Sequence, residues 1–256
     1  MKFVVGCKHM VMIDLKFLIT IIKDFYDIKF RNNFDNIFTF HNCSEHTIDK
    51  LKKYDFFNEI KNKEFIIYNN INYTESLKKT IYHLKENGYT HIIYCEDDSL
   101  FQFGLNDTND RHIILDDLIN FIKENDKFGM INLEWNGGWE GFYSRRMDNE
   151  IKNYKYNNLN IFETKSIDWS TDSTLYAFDG GAYVAKIDYL IDNLYDDGYF
   201  SQGDSWSGER YLNNKWKQKE YERLTTNLPI YKRYNILGKN SWNRNEELKT
   251  LKNLFT

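Results

Sequence analysis

Three consecutive carboxylates, Glu96-Asp97-Asp98, follow the short apolar run 91–94 (HIIY). Like charges at the end of a buried strand repel one another and lose hydration, so such a cluster is favoured where a cation is bound. Ligand sets made only of oxygen suit hard divalent ions such as Mg²⁺ or Mn²⁺, which also bind substrate phosphates. The segment therefore predicts a divalent-metal site. A solvated loop that happens to be acidic is the alternative.

The elements that must position this cluster alternate between strand and helix patterns. Short apolar runs predict strands at 2–7, 36–40, 64–68, 91–94 and 127–133, and apolar residues at helical spacing predict helices at 12–25, 44–54, 74–88 and 113–124. We expect Ser44 and Thr74 to be N-caps and Gly88 to end its helix. Repeated β-α-β order predicts an α/β fold with a parallel sheet, which binds ligands at the carboxyl ends of its strands.

This order of elements, with an acidic triplet after the fourth strand, resembles the GT-A glycosyltransferases. The resemblance implies a GT-A (Rossmann-like), mainly parallel sheet flanked by helices, with an irregular second half on the acceptor side. It also implies that Glu96-Asp97-Asp98 is the Asp-any-Asp (DXD) motif of that family. One acid, Glu96 or Asp97, then contacts the ribose of the donor, while Asp98 and Glu96 bind Mn²⁺ or Mg²⁺. Glu96 departs from the Asp that is usual at the first position, as it does in related families.

Further donor contacts are implied after the other strands. Cys7 and Lys8 follow the first strand, and Lys8 is a candidate phosphate ligand, although a plain surface lysine is the alternative. His41 and Asn42 stand where the family often has an acid facing the base, which leaves UDP-sugars and GDP-sugars both open. Asn72 precedes the third helix, where the family often has an Asn-containing loop. The alternative is chance, because the whole chain is rich in Asn.

Glycine and tryptophan clusters stand out in the second half. Gly180 and Gly181 resemble the small residues that line the sugar-donor pocket of the family, since glycines let a substrate approach the backbone. A tight turn is the alternative, and Tyr183 with the apolar residues after it predicts a strand and then a helix. Trp135 and Trp139 flank two further glycines, and flat rings suit the apolar faces of sugars. We expect acceptor contacts from these two Trp residues, with core packing as the alternative.

The segment 203–212 (GDSWSGERYL) resembles the region in which inverting members carry their catalytic base. Glu209 matches that acid, and Asp204 is the second candidate. We expect Ser207 to cap the helix, so that the positive helix end favours an ionised Glu209. The alternative is that Glu is simply a common first-turn residue. The expected mechanism is direct displacement that inverts the anomeric carbon, and retention of configuration stays open.

Basic residues near the end of the chain complete the candidate site. Lys232 and Arg233 are candidates to neutralise diphosphate charge, although isolated basic residues are more often on the surface. Many family members have a metal-binding His in the last third, whereas this chain has none after His112. Asn235 or water would take that place.

Composition excludes several other classes. The chain has 256 residues, 17% aromatic residues and a single Pro, which predicts a folded protein with a sizeable core. Three dispersed Cys indicate reduced thiols, and a net charge of −4 gives no basic field for nucleic acid. No apolar run approaches the ~20 residues needed to span a bilayer, so we expect a cytoplasmic protein. Low Ala and Pro with high Asn is typical of AT-rich microbial or viral genomes.

The expected organisation is one domain, 1–256. It has a nucleotide-sugar-binding half (1–133), an acceptor and catalytic half (134–235) and a tail (236–256). The expected function is metal-dependent transfer of a sugar from a nucleotide-diphosphate sugar to a hydroxyl of a glycan acceptor. Two alternatives stay open. One is a nucleotidyltransferase, although no Gly-rich basic loop follows the first strand. The other is a non-catalytic carbohydrate-binding protein of the same fold.

Overall fold

A computed structural model of the chain describes residues 3–9, 34–41, 45–53, 58–96, 99–100, 109–125, 129–135, 150–157, 159–164, 182–204, 207–208, 210–212, 215 and 223–233. The strands are β1 Phe3–His9, β2 Asp35–His41, β3 Lys63–Tyr68, β4 His91–Glu96, β5 Ser99–Leu100, β6 Met130–Trp135, β7 Glu150–Tyr156, β8 Leu159–Thr164, β9 Ala182–Lys186 and β10 Arg223–Arg233. The helices are α1 Glu45–Lys52, α2 Tyr73–Glu86, α3 Asn109–Glu124, α4 Ile187–Tyr189 and α5 Asp197–Phe200, with a π-helical turn at Leu190–Leu194.

All of these strands join one sheet in the order β3-β2-β1-β4-β9-β6-β10-β8-β7, with β5 paired to β10. β3, β2, β1 and β4 are parallel neighbours, and β6 is parallel to β10. β9 lies between β4 and β6 and is antiparallel to both, so β4 and β6 run in the same direction but are not hydrogen-bonded to each other. The expected α/β fold with a mainly parallel sheet is confirmed. β7, β8 and β10, which the sequence patterns did not indicate, extend it into the second half.

The predicted elements of the first half are confirmed with shifts at their ends. β4 continues to Glu96, beyond its apolar run, because β1 pairs with it as far as that residue. α3 begins at Asn109 instead of residue 113, and β6 begins at Met130 instead of residue 127. The predicted helix 12–25 and the predicted cap Ser44 lie outside the described residues.

The N-terminus of α2 differs from the prediction, because Asn72 and not Thr74 is its N-cap. Asn72 has extended backbone, and its Oδ1 accepts a hydrogen bond from the Glu75 N–H at 2.8 Å. Both residue types cap helices, and here Thr74 is instead turned into the interior with an exposed fraction of 0%. Gly88 follows the end of α2 as predicted, with a left-handed φ of 75°.

The centre of the sheet is buried over consecutive residues. On β4, His91, Ile92, Ile93 and Tyr94 all have exposed fractions of 4% or less. Consecutive burial is expected of a parallel strand that is covered on both faces. Apolar residues of α2 join the same core, which includes Leu77, Ile81, Leu84, Ile92, Met130, Ala185, Leu190 and Leu194.

The chain after β9 runs alongside α2, from the amino ends of the parallel strands to their carboxyl ends. The Ile187 N–H donates to the Thr90 carbonyl just before β4, so α4 starts where the parallel strands begin. Ion pairs then join the segment to α2, Lys85 with Asp188 at 3.1 Å and Lys78 with Asp197 at 3.0 Å. The segment therefore reaches the N-terminus of α2 at the carboxyl edge of the sheet. Among the described helices, none is long and apolar enough to cross a membrane.

Candidate functional site

The carboxyl ends of β1 and β4 lie side by side. In their parallel register Cys7 pairs with Cys95, and Lys8 pairs with Glu96. The backbones of Lys8 and of the first acid of the triplet are therefore neighbours, at the edge where parallel sheets bind ligands. Asp97 and Asp98 lie outside the described residues, so their contacts to donor and metal stay predictions.

A two-residue strand brings basic residues from the far end of the chain to the acidic triplet. β5 starts at Ser99, directly after Asp98, and pairs antiparallel with β10. Ser99 lies opposite Arg233, and Leu100 lies opposite Lys232. The two basic residues named from the sequence are thus beside the segment that leaves the triplet. No sequence signal indicated this pairing, because two residues are too few for a recognisable strand pattern.

β9 and β6 approach the same edge from the second half. β9 starts at Ala182, opposite Cys95 of β4, so the chain enters the sheet beside the end of β4. β6 ends at Trp135, which lies opposite Tyr231 of β10. Because β9 is antiparallel to β4 and β6, its start and their ends share one edge. The other predicted donor and acceptor residues of this region, Gly180, Gly181 and Trp139, lie outside the described residues.

The loop after β3 also lies at this edge. Asn72 caps α2, so its carbonyl oxygen is engaged with the Glu75 N–H. Asn70 has a left-handed φ of 59°, a conformation that Asn tolerates, and it turns the chain between β3 and α2. Asn42 lies outside the described residues. The structure thus brings the backbones of Lys8 and Glu96 and the capping residue Asn72 to one edge of the sheet.

Asp204, the second candidate for the base, is the cap of a helical segment. Its Oδ1 accepts from the Ser207 N–H at 2.8 Å, and its Oδ2 accepts from the Ser207 hydroxyl at 2.9 Å. The Gly208 N–H bonds to the Asp204 carbonyl at 3.1 Å, as in a first helical turn. The expectation that Ser207 is the cap is therefore wrong, because Ser207 is itself helical and its N–H donates to the Asp204 side chain three residues earlier. Glu209 lies outside the described residues.

A buried tyrosine cluster supports the end of β4. The Tyr73 and Tyr94 hydroxyls are 3.2 Å apart, and the rings of Tyr94 and Tyr183 stack at 4.8 Å. The Tyr195 hydroxyl donates to Tyr183 at 3.1 Å. Burial raises the pKa of Tyr183 well above its ordinary value, so this phenol stays neutral. The strand and helix predicted around Tyr183 are confirmed, but apolar patterning gave no sign of this hydroxyl network.

The residue types of the acidic triplet suit a divalent ion by their chemistry. Carboxylate oxygens without Cys or His are the ligands that Mg²⁺ and Mn²⁺ prefer. Within the described ranges, no group of three or more His, Cys, Asp or Glu side chains is placed to hold a metal. Of the triplet, only the backbone of Glu96 belongs to those ranges.

The sequence matches no protein-family model and no curated protein. Among solved structures, the chain is similar to GalNAc-T7 with UDP, GalNAc and Mn²⁺. The identity is 8%, the TM-score is 0.52, and the match covers 90% of this chain and 43% of that one. The protein has a GT-A-type fold. The α/β architecture, with the parallel strands β3-β2-β1-β4 and flanking helices, is the one that the GT-A resemblance led us to expect.

The chain is also similar to two further solved structures. One is described as a nucleotide-diphospho-sugar transferase from Desulfovibrio desulfuricans G20. It has 10% identity and a TM-score of 0.47, over 100% of this chain and 99% of that one. The other is an apo UDP-glucose pyrophosphorylase, with 8% identity and a TM-score of 0.49 over 98% of both chains. At such identities the comparison concerns the fold.

Proposed function

We propose that the protein is a metal-dependent, inverting glycosyltransferase that moves a sugar from a nucleotide-diphosphate sugar to a hydroxyl of a glycan. One observation carries the proposal: the carboxyl edge of the sheet gathers acidic and basic residues from both halves of the chain. Lys8 and Glu96 are register neighbours on β1 and β4. Lys232 and Arg233 pair with the strand that directly follows the acidic triplet. In a site for a nucleoside diphosphate, acidic residues bind the divalent metal, and basic residues offset the negative charge of the phosphates.

Each part of the edge has a role in binding the donor. Asp98 and Glu96 would hold Mn²⁺ or Mg²⁺, with Asp97 as a donor contact, and that ion would supply Lewis-acid stabilisation of the leaving diphosphate. Lys232 and Arg233 neutralise further phosphate charge, with Lys8 at the end of β1. The nucleotide of a UDP- or GDP-sugar contacts the ends of β1 to β3, where Cys7, Asn42 and Asn72 occur in the sequence.

Glu209 is the proposed base. Its carboxylate takes the proton of the acceptor hydroxyl while that oxygen attacks the anomeric carbon, and the bond from this carbon to the diphosphate oxygen breaks. Asp204 is the less suitable candidate, because both of its oxygens accept hydrogen bonds from Ser207. Gly180 and Gly181 would let the sugar approach the backbone, and Trp135 and Trp139 would stack on the acceptor.

Thermal unfolding with nucleoside diphosphates tests the donor site. At a concentration of about 100 Kd, UDP or GDP with Mn²⁺ should raise Tm by roughly 5–10 °C for a chain of this size. Asp98→Asn should lose this shift. Asp197→Asn should keep it, because it removes a carboxylate whose side chain is 97% exposed and lies on α5. No shift with any nucleoside diphosphate would contradict the proposal.

Product analysis distinguishes a glycosyltransferase from a nucleotidyltransferase, the alternative kept from the sequence. A transferase incubated with a panel of nucleotide sugars should slowly hydrolyse its donor to the nucleoside diphosphate and free sugar. An acceptor glycan should accelerate release of the nucleoside diphosphate, with the sugar then found on the glycan. A nucleotidyltransferase would instead release pyrophosphate from a sugar 1-phosphate and a nucleoside triphosphate. Pyrophosphate formation without release of a nucleoside diphosphate would replace the proposed function by that alternative.

A further inference from the structure

Thr74 is a buried residue whose hydroxyl joins two segments that are distant in the sequence. It lies in the first turn of α2 and its exposed fraction is 0%. The hydroxyl donates to the Phe200 carbonyl at 2.7 Å and accepts from the Gly203 N–H at 3.2 Å. One side chain thus satisfies a carbonyl and an N–H of the turn 200–204, which follows α5.

The turn that Thr74 binds leads directly to the cap of the next helical segment. Gly203 has a left-handed φ of 84°, which glycine adopts at no steric cost. The next residue, Asp204, caps the segment in whose sequence Glu209 follows. On its other side, the Thr74 hydroxyl lies 3.1 Å from Asn72 Oδ1, the atom that caps α2. Thr74 therefore connects the helix that Asn72 caps with the turn that leads to Asp204.

An ion pair that links α2 to α5, just before this turn, is more exposed to solvent. Lys78 Nζ lies 3.0 Å from Asp197 Oδ1 and 4.8 Å from the centre of the Phe200 ring. The Asp197 side chain is 97% exposed, and exposed ion pairs contribute little to stability. Removing a fully buried hydroxyl is more costly, since it leaves a carbonyl and an N–H that are partly buried without this partner. Thr74 is accordingly the stronger of the two links.

We infer that Thr74 is a positioning residue. It fixes the helical segment capped by Asp204, in whose sequence Glu209 follows, relative to the donor-side loop that ends at Asn72. The catalytic part of this inference rests on the proposed function, whereas the structural link does not. A base displaced by about 1 Å from its proton loses roughly 100-fold in rate. Loss of the Thr74 hydroxyl should therefore lower turnover much more than it weakens donor binding.

Three variants separate the effect of the Thr74 hydroxyl from the effect of changing the side-chain shape or a neighbouring residue. Thr74→Val keeps the shape of the side chain and removes the hydroxyl, and Thr74→Ser restores the hydroxyl. Thr80→Val is the matched control, because Thr80 is also a buried threonine of α2, with an exposed fraction of 4%. Its hydroxyl donates to the Ser76 carbonyl of the same helix at 2.8 Å, away from the turn 200–204.

Amide hydrogen exchange tests the link without reference to activity. In Thr74→Val the Gly203 amide should exchange about ten-fold faster than in the unchanged protein, because its acceptor is lost. The amide should stay within about two-fold in Thr74→Ser and Thr80→Val, a difference that corresponds to less than half a hydrogen bond. Unchanged protection of Gly203 in Thr74→Val would overturn the inference.

Steady-state kinetics with the nucleotide sugar that the unchanged protein hydrolyses tests the catalytic part. Thr74→Val should lower kcat at least ten-fold while the Kd for the matching nucleoside diphosphate and Mn²⁺ stays within about two-fold. Thr74→Ser should recover most of kcat, and Thr80→Val should keep it. Equal losses of kcat in Thr74→Val and Thr80→Val would overturn the positioning role. A protein with no activity on any nucleotide sugar would overturn the proposed function, and the exchange result would still decide the link.

Discussion

Replacing Asp196 by alanine removes an anchor at the other end of the segment in which Glu209 lies. Asp196 Oδ1 accepts from the Tyr199 N–H at 3.0 Å and so caps α5. Its Oδ2 accepts from the Tyr211 hydroxyl at 3.0 Å and from Lys215 Nζ at 2.7 Å. Because Tyr211 and Lys215 belong to the helical segment after Asp204, one carboxylate ties α5 to that segment.

The expected loss follows from these contacts. Removal of an Asp N-cap costs about 1 kcal/mol. The Lys215 side chain is only 11% exposed, and a hydrogen bond to a charged group of this kind contributes about 1.5–3 kcal/mol. Solvent reaches the Asp196 side chain, which is 42% exposed, and screens this ion pair. We therefore expect Asp196→Ala to lower the free energy of unfolding by about 2 kcal/mol, somewhat less than the sum of the two contributions because of this screening.

Urea unfolding followed by circular dichroism measures this loss, with unchanged m-values as the sign of an unchanged unfolded state. Asp197→Ala is the matched control: it makes the same charge change at the next residue, where the side chain is 97% exposed. It should cost less than about 0.5 kcal/mol. Equal losses in the two variants, or a loss below about 0.5 kcal/mol in Asp196→Ala, would refute the assigned anchoring role.

Three further predictions concern the same region. Burial alone would raise the pKa of Asp196, but hydrogen bonds from Lys215, the Tyr199 N–H and Tyr211 lower it below its ordinary value of 3.8. Its contribution is therefore present above that pH and is lost as the pH falls through the lowered pKa, so acid titration of unfolding should be flatter in Asp196→Ala. Gly208→Ala should cost about 1–3 kcal/mol in urea unfolding, because its Cβ would lie 2.6 Å from Tyr199 Cε2. A cost close to zero would show that the ring moves aside freely. Glu209→Gln should keep the Mn²⁺-dependent thermal shift and lose transfer, and normal turnover would move the base to another residue.

Apolar patterning predicts most of the first half of the fold. Buried parallel strands such as β4 carry consecutive apolar residues, and α2 repeats them at helical spacing, so both types of element are visible in the sequence. The ends of elements are less visible, because pairing with a neighbour decides them. Glu96 belongs to β4 since β1 pairs with it, although a charged residue has low strand propensity.

Tertiary contacts account for what patterning did not supply. Thr74 and Ser207 are good capping residues by type, yet Asn72 and Asp204 take those positions, and Thr74 is instead bonded to Phe200 and Gly203. The pairing of β5 with β10 depends on residues that are far apart in the chain. The candidate site shows the same dependence on distant contacts. Its residue types can be identified in the sequence, but their proximity depends on strand pairing. The AT-rich origin inferred from composition stays a prediction.

The place of β9 in the sheet has a consequence for how the protein folds during synthesis. β9 lies between β4 and β6, but it is made after both of them. Until residue 186 has left the ribosome, the backbone of β4 at Ile92 and Ile93 lacks its β9 partner on that side. β6 is also not yet joined to β4, because β9 is the strand that lies between them. Non-local pairing of this kind slows folding, and open edges favour association. Chains released before β9 should therefore aggregate, whereas those that include it can close the centre of the sheet.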